Sequence, residues 1–206
     1  MTFPDEKFSS VAGYADAYFA EVGKAQASVD RKKLTQALKL LDAAYERGAT
    51  LYVCGNGGSA SISNHLVCDH SKGGQTDTDL RPKVVSLATN IEMITAIAND
   101  IDFDDVFVYQ LRTLAEKGDV LLTISASGDS ENVVRAAEWA NKKGIEVIAF
   151  TGFKGGRTAK LANVNLYVKG DNYGVVEDAH QSLMHILAQY VRLSRMKEDV
   201  IKKRKF

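Results

Sequence analysis

The sequence has few of the features that would place it outside the ordinary globular proteins. Its 206 residues include only two cysteines, Cys54 and Cys68, so we expect no disulfide framework and two reduced, packed thiols. Basic and acidic residues number 26 each, so no excess charge favours nucleic acid or a membrane surface as a partner. No stretch approaches the ~18 apolar residues of a membrane span, and the first residues lack the pattern of a signal peptide. These absences predict a cytoplasmic protein without nucleic-acid or membrane partners.

Two common nucleotide-binding motifs are also absent. Neither G-x-x-x-x-G-K-[ST] nor G-x-G-x-x-G occurs, so nucleotide binding through such loops is not indicated. What is present is a content of 45% hydrophobic and 25% charged residues, which is typical of a single folded domain.

Residues 1–48 are predicted to form a helical arm, and residues 49–206 the main domain of a single globular unit. Apolar residues recur at spacings of three and four from about Ser9 to Gly48, with Asp30 placed to cap a second helix and Gly48 to end it. This is more helix than an α/β core needs. The surplus apolar surface predicts packing across a subunit interface.

The rest of the chain alternates between strand and helix signals. A long amphipathic helix is predicted from Gly174 to about Lys197, with a buried stripe. Short strands that are apolar on both faces and separated by helices predict an α/β fold with a five-stranded parallel sheet flanked by helices. The predicted strands are Leu51–Cys54, Val84–Ala88, Val120–Ser125, Val147–Thr151 and Val164–Val168.

The segment after the first strand combines a glycine-rich turn with a chemically active helix. The turn Gly55-Asn56-Gly57-Gly58-Ser59 feeds a helix whose N-terminal amides favour an anion. On that helix His65 and Asp69 are four residues apart and therefore share one face. The segment predicts an anion site next to a metal-binding or acid–base pair.

A second polar loop follows the third strand. It carries Ser125, Ser127, Gly128 and Ser130 before another helical run. Ligands bind at the carboxyl ends of strands in such sheets, and serine hydroxyls suit a phosphate monoester because they donate without competing charge. An ordinary serine-capped helix explains this loop alone equally well, but two such loops in one chain favour a phosphorylated ligand.

All four histidines lie in two short segments. His65 and His70 fall on the early helix, and His180 and His185 on the last one, where Glu177 precedes His185 by about two turns. Taken singly, each histidine is most simply a core residue. If the two helices meet, they bring together two histidines and two carboxylates. Such a set suits Zn²⁺ or another divalent transition metal. Its members are His65, Asp69, Glu177 and His185.

These motifs carry a family resemblance. Gly55–Ser59, the Ser125–Ser130 loop, Ala98-Asn-Asp100 and Met184-His-Ile-Leu resemble the sugar isomerase (SIS) domain, and within it the phosphoheptose isomerases. The resemblance covers nearly the whole chain, including the helical arm. It implies a flavodoxin-like sheet, a homotetramer with active sites between subunits, and conversion of sedoheptulose 7-phosphate to the heptose 7-phosphate aldose through an enediol.

The resemblance also implies roles for individual residues. Asp69 would be the base and His185 its acid–base partner, and both would join His65 and Glu177 in holding zinc. Position 69 is usually Glu in that family and position 177 usually Gln, while Asn90 and Gly174 replace acidic residues. The residues expected to contact the phosphosugar are Asn56, Gly57, Ser59, Asn90, Ser125, Ser127, Ser130 and Glu177.

Two alternative functions stay open at this point. One is an isomerase-like enzyme acting on another ketose phosphate in nucleotide-sugar or polysaccharide synthesis. The other is a non-catalytic SIS-domain binding protein, similar to the partner of the bacterial replication initiator. The histidine–carboxylate set favours an enzyme, since a pure binding module has no need of paired ligands on two helices. For His70 and His180 we expect placement behind the ligands or on the surface.

Overall fold

The computed structural model describes residues 2–206, so Met1, the first residue of the predicted arm, lies outside the described residues. Two long helices come first. Helices α1 (Val11–Ala27) and α2 (Arg31–Glu46) are separated by Asp30, whose carboxylate accepts the backbone N–H groups of Lys32 and Lys33. The predicted cap is therefore confirmed. Gly48 follows the second helix with a φ of 71°, which is a backbone conformation that glycine adopts without strain.

Five parallel strands form one sheet in the order β2-β1-β3-β4-β5. This confirms the predicted fold class. Each strand lies within two residues of its predicted bounds, and β2 ends early because the Ser86 hydroxyl accepts the Ala88 N–H and begins a turn. The strands are β1 (Thr50–Cys54), β2 (Lys83–Ser86), β3 (Val120–Ser125), β4 (Glu146–Thr151) and β5 (Val164–Tyr167).

Helices cover both faces of this sheet and create two buried apolar clusters. One cluster joins α2, α3 and α8 to the sheet, and the other joins α4, α5 and α6 to the opposite face. The remaining elements are α3 (Gly58–Val67), a π-helical turn (Cys68–Gly73), α4 (Ile91–Asp100), a 3-10 turn (Phe103–Asp105), α5 (Val106–Leu114), α6 (Glu131–Lys142), α7 (Gly156–Leu161), α8 (Tyr173–Leu193) and α9 (Glu198–Ile201).

Helix α8 crosses the sheet and is held by the helical arm. Its predicted buried stripe is confirmed, since Val176, Leu183, Met184, Leu187 and Val191 are all nearly inaccessible. The helix starts one residue before the predicted position, after Asn172, whose side chain accepts the Val175 N–H, and it ends at Leu193. From the arm, the Tyr18 hydroxyl donates to Asp178 at 2.7 Å. None of the helices in residues 2–206 is long and apolar enough to cross a membrane.

The two cysteines differ in their surroundings. Cys54 is buried at the end of β1, and burial raises the pKa of its thiol to about 12. Cys68 is exposed. The predicted packed thiol is therefore confirmed for Cys54 and wrong for Cys68, because the π-helical turn points that residue away from the core.

His180 is completely buried, which corrects the expectation of possible surface placement. Its ring lies 5.8 Å from that of Phe150, and neither ring nitrogen has a hydrogen-bond partner within residues 2–206. Burial lowers the pKa of His180 to about 4, against a smaller opposing influence of the Thr151 backbone. The folded state therefore holds this imidazole neutral.

Acid should destabilise the protein partly through His180. The unfolded chain takes up a proton near pH 6.5 and the folded chain only near pH 4, so this contribution to stability is complete above pH 6.5 and is lost as the pH falls toward 4. Between about pH 7 and pH 5 the loss should be roughly 2 kcal/mol. Urea unfolding of the wild type and of His180→Phe at both values measures it. Equal acid sensitivity in the two proteins would contradict the prediction.

Candidate active site

The site begins where neighbouring strands β1 and β3 end. The chain leaves these two strands in opposite directions across the sheet, which is the point where open α/β sheets bind ligands. The loop after β1 leads into α3, and the loop after β3 leads into α6. A cavity of about 100 Å³ lies between them. Its lining comprises Asn56, Ser59, Ile124, Ser125, Ala126, Ser127, Ser130, Tyr173 and Glu177.

The serine hydroxyls in this cavity are only partly engaged. Ser125 accepts the Gly128 N–H at 3.1 Å, and Ser127 accepts the Asp129 N–H at 3.2 Å. Ser130 occupies the capping position of α6 but makes no side-chain capping bond. The hydroxyl hydrogens of Ser125 and Ser127 can therefore turn toward a bound anion. Phosphate is a suitable occupant because it accepts several such donors at once.

The two loops are locked together by an asparagine pair. Asn56 donates to Asn132 at 2.9 Å, and Asn132 donates back at 3.1 Å. Asn56 was expected to contact the substrate, but its side-chain amide is used to hold the α3 and α6 loops in register. Asn132 was missed by the sequence reasoning, because nothing in its local pattern distinguishes it from any polar residue in a first helical turn.

The second loop is also fixed from its outer side. Gly128 has a φ of 64°, and a side chain there would collide with the Gly155 carbonyl. Arg157 forms ion pairs with both Asp129 and Glu131, and its distance to the Glu131 carboxylate is 2.8 Å. This guanidinium lowers the pKa values of the two carboxyl groups. The serine loop is therefore preorganised before any ligand arrives.

A second polar cluster lies where α3 meets α8. His65 Nε2 is 3.3 Å from Asp69 Oδ1, and His185 Nδ1 is 2.8 Å from Asp69 Oδ2. The two imidazole rings stand edge to face with centroids 5.0 Å apart. All three side chains are partly exposed, His65 most of all at 48%. The structure thus brings together three of the four residues named as metal ligands.

This cluster fits a divalent cation. One donor atom from each of His65, Asp69 and His185 lies within 4.8 Å of the others. Two imidazoles and one carboxylate are typical of a catalytic zinc site, which keeps a further position open for water or substrate. The partial exposure of all three side chains leaves room for that open position.

Glu177 lies elsewhere. It is not part of the three-residue group, and its carboxylate packs against Gly58 at the N-terminus of α3 and lines the serine cavity. Burial raises the pKa of the Glu177 carboxyl, and Asp178 adds to the shift. Glu177 as a fourth metal ligand therefore stays a prediction, since this conformation directs the side chain to the anion cavity.

The other predicted positions are placed as follows. Gly57 precedes α3 with a φ of 54°, and its conformation lets the chain turn into the helix. Asn90 caps α4 by accepting the Met93 N–H at 2.9 Å and lines a different cavity, of about 200 Å³. A side chain at Gly174 would lie 2.9 Å from the Tyr18 hydroxyl, so a larger residue there would crowd the α1–α8 contact.

His70 supports the cluster from behind. It is buried on the π-helical turn, and its Nδ1 lies 2.7 Å from the Tyr45 hydroxyl of α2. Burial lowers the pKa of His70 to about 4. The contact anchors the turn that carries Asp69. Of the two placements expected for His70, the structure shows the one behind the cluster of His65, Asp69 and His185.

Comparison with known proteins agrees with this geometry. The SIS-domain family model matches residues 17–152. The chain belongs to the SIS-domain family. A probable phosphoheptose isomerase of Thermoplasma acidophilum is 34% identical over 178 residues, which cover 86% of this chain and 97% of that relative. The region beyond residue 152, including His185, lies outside the family model, whereas some solved structures match nearly nine tenths of the chain.

Two such structures resemble the SIS protein described here. A phosphoheptose isomerase from Neisseria gonorrhoeae matches with a TM-score of 0.81 and 31% identity, covering 88% of this chain and 98% of the other. One from Francisella tularensis matches with a TM-score of 0.83 and 29% identity, covering 89% and 99%.

Replacing Glu177 by Gln should strengthen phosphate binding. The change removes a negative charge from the anion cavity and from the N-terminus of α3 while keeping the size of the side chain. We expect several-fold tighter binding of inorganic phosphate by calorimetry, with Glu138→Gln, at an exposed residue of α6 outside the cavity, as the matched control. Unaltered phosphate affinity would contradict the prediction, and lost zinc affinity in Glu177→Gln would instead identify Glu177 as a ligand.

Proposed function

We propose that this protein is a metal-dependent aldose–ketose isomerase whose substrate is sedoheptulose 7-phosphate. The isomerase class follows from the related phosphoheptose isomerases, which match most of the chain. The observation that carries the proposal is the presence of both functional parts on one helix. Glu177 of α8 lines the serine cavity, and His185 of the same helix belongs to the histidine–aspartate cluster.

The distance between these parts matches a long sugar phosphate. Eight residues of helix separate Glu177 from His185, which corresponds to roughly 12 Å along the axis. A seven-carbon ketose carries its phosphate at one end of the chain and its carbonyl near the other. With the phosphate in the serine cavity, the carbonyl end extends toward the cluster. A three-carbon phosphate is too short for this arrangement.

The phosphate is held by neutral donors at a helix terminus. The hydroxyls of Ser59, Ser125, Ser127 and Ser130 face the cavity, and the N-terminus of α3 lies beside it. Such donors bind a dianion without a competing counter-charge and fix one end of the substrate. Fixing that end positions the distant carbons for reaction, which is where binding energy increases the rate.

The reaction requires one proton to change carbon atoms. Starting from the ketose, a base removes a proton from C1 while the carbonyl oxygen at C2 gains a proton, which forms the enediol. The proton is then returned to C2 as the C1 hydroxyl loses its own, and an aldose results. Atoms and electrons balance without a redox partner.

In this proposal Asp69 and His185 carry out these transfers. The Asp69 carboxylate is the base for the carbon-bound proton, and His185, 2.8 Å from it, exchanges the oxygen-bound protons. His65, Asp69 and His185 would hold the cation. When bound, the cation supplies Lewis-acid polarisation of the substrate carbonyl.

We further propose that the protein acts as a homotetramer with sites between subunits. Large apolar side chains on α1 and α8 are exposed in the single chain, which is costly unless another chain covers them. They include Val11 (84% exposed), Phe19 (69%), Tyr190 (52%) and Ile186 (48%). Sedimentation equilibrium tests this assembly, and a monomer at micromolar concentration would refute it.

Replacing Asp69 by Asn should lower kcat by a factor of about 10² to 10⁴, because the amide cannot accept the carbon-bound proton. Conversion of sedoheptulose 7-phosphate is followed by aldose formation. The exposed Asp79→Asn is the matched control and should keep wild-type turnover. If Asp69→Asn also kept wild-type turnover, Asp69 would not be the base.

Removing the metal should abolish isomerisation reversibly. Purified protein is analysed for metal content, treated with a chelator, and assayed before and after zinc is restored. We expect near-stoichiometric zinc and recovery of turnover on readdition. Bound metal without turnover would redirect the search to other ketose phosphates. Absence of both metal and turnover would favour a binding protein.

A further inference from the structure

Gln181 lies between the two histidines of the cluster. Its Nε2 is 3.0 Å from His65 Nδ1 and 3.0 Å from His185 Nε2. It lies one helical turn after Glu177 and one turn before His185, so all three share a face of α8. The sequence reasoning gave this residue no role.

Three hydrogen bonds join His65 to Gln181, Gln181 to His185 and His185 to Asp69, while His65 Nε2 lies near Asp69 without hydrogen-bond geometry. Each imidazole faces Asp69 with one nitrogen and Gln181 with the other. The amide nitrogen of Gln181 only donates, so the ring nitrogens that face it carry no hydrogen and both nitrogens that face Asp69 do. For His185 the Asp69 carboxylate, which only accepts, requires the same arrangement. The two opposite nitrogens then carry lone pairs. Only the amide NH₂ of Gln181, with its two hydrogens, can serve both of them.

This network fixes the tautomer of each histidine. His65 must carry its hydrogen on Nε2, whereas His185 must carry it on Nδ1. The two histidines of one cluster are thus held in opposite tautomers. Without Gln181, the His65 ring can rotate or change tautomer, whereas the Asp69 carboxylate still holds His185 with its hydrogen on Nδ1.

We propose that Gln181 is a positioning residue that sets the tautomer of His65, reinforces that of His185 and reverses its amide when the cluster takes up a divalent cation. A cation among the three donor atoms needs the lone pairs of the nitrogens that face Asp69. The hydrogens then reside on the opposite nitrogens, which need an acceptor. The Gln181 carbonyl oxygen supplies it once the amide turns over.

The proposal rests on the proposed function only where it concerns metal binding during catalysis. The tautomer pattern belongs to the metal-free protein and is measured without substrate. Groups that hold the second nitrogen of a histidine ligand typically change metal affinity by a factor of 10 to 100. Gln181 is therefore expected to affect metal affinity without being a ligand.

Substitutions at position 181 separate the two states of the amide. Gln181→Leu neither donates nor accepts, whereas Gln181→Glu can only accept and so favours the metal-bound pattern. Gln26→Leu is the matched control, because Gln26 also contacts α8 through its amide but does so at Ser182, 2.8 Å away. It should behave as the wild type in every measurement.

The first measurement is nitrogen NMR of the metal-free protein with ¹⁵N-labelled histidine at neutral pH. In the wild type we expect a fixed Nε2–H form for His65 and a fixed Nδ1–H form for His185. Gln181→Leu should give averaged tautomer signals for His65, while the Asp69 carboxylate keeps His185 in its Nδ1–H form. Unchanged signals in that variant would overturn the proposal.

The second measurement is zinc affinity by competition with a chromophoric chelator. Gln181→Leu should bind zinc 10-fold to 100-fold more weakly than the wild type, and Gln181→Glu at least as tightly as the wild type. Equal affinity in the leucine variant, or weaker affinity in the glutamate variant than in the leucine variant, would overturn the proposal. If the expected effects appear but no sugar phosphate is converted, only the proposed function fails.

Discussion

The contact between α3 and α8 is the constraint on which the site depends. Each segment alone carries only part of the chemistry, since His65 comes from α3, Asp69 from the π-helical turn that follows it, and His185 from α8. Their approach is stabilised by the apolar cluster that packs both helices on the same face of the sheet. Because the polar cluster lies at the edge of that apolar contact, its geometry is set by packing before any ligand binds.

The two carboxylates near this contact differ in their surroundings. Two carboxylates, Asp69 and Glu177, lie on the path proposed for an anionic substrate. Asp69 lies beside two imidazoles, whereas Glu177 lies against the N-terminus of α3 and lines the serine cavity. Burial raises the pKa of the Glu177 carboxyl group, which eases its protonation. When ionised, its charge opposes an anion in the same cavity.

The sequence predicted what depends on periodicity and local capping. The strands, the Asp30 cap and the buried stripe of α8 follow from the local sequence pattern. The sequence predicts a cluster of His65, Asp69 and His185 only on the condition that their two helices meet. The Asn56–Asn132 pair, the direction of Glu177 and the role of Gln181 were not predicted. Each depends on which side chain reaches across to another element, and side chains of the same type with no such role occur throughout the chain.

The π-helical turn after α3 has a consequence for how this region can change. A π-helical turn holds one residue more than an α-helical turn would over the same rise. The extra residue lets His70 reach Tyr45 while Asp69 stays in line with His65. The orientation of the chain beyond Gly73 is therefore not fixed by the helical repeat of α3. A change in chain length between this turn and β2 would therefore leave the face that carries His65 in place.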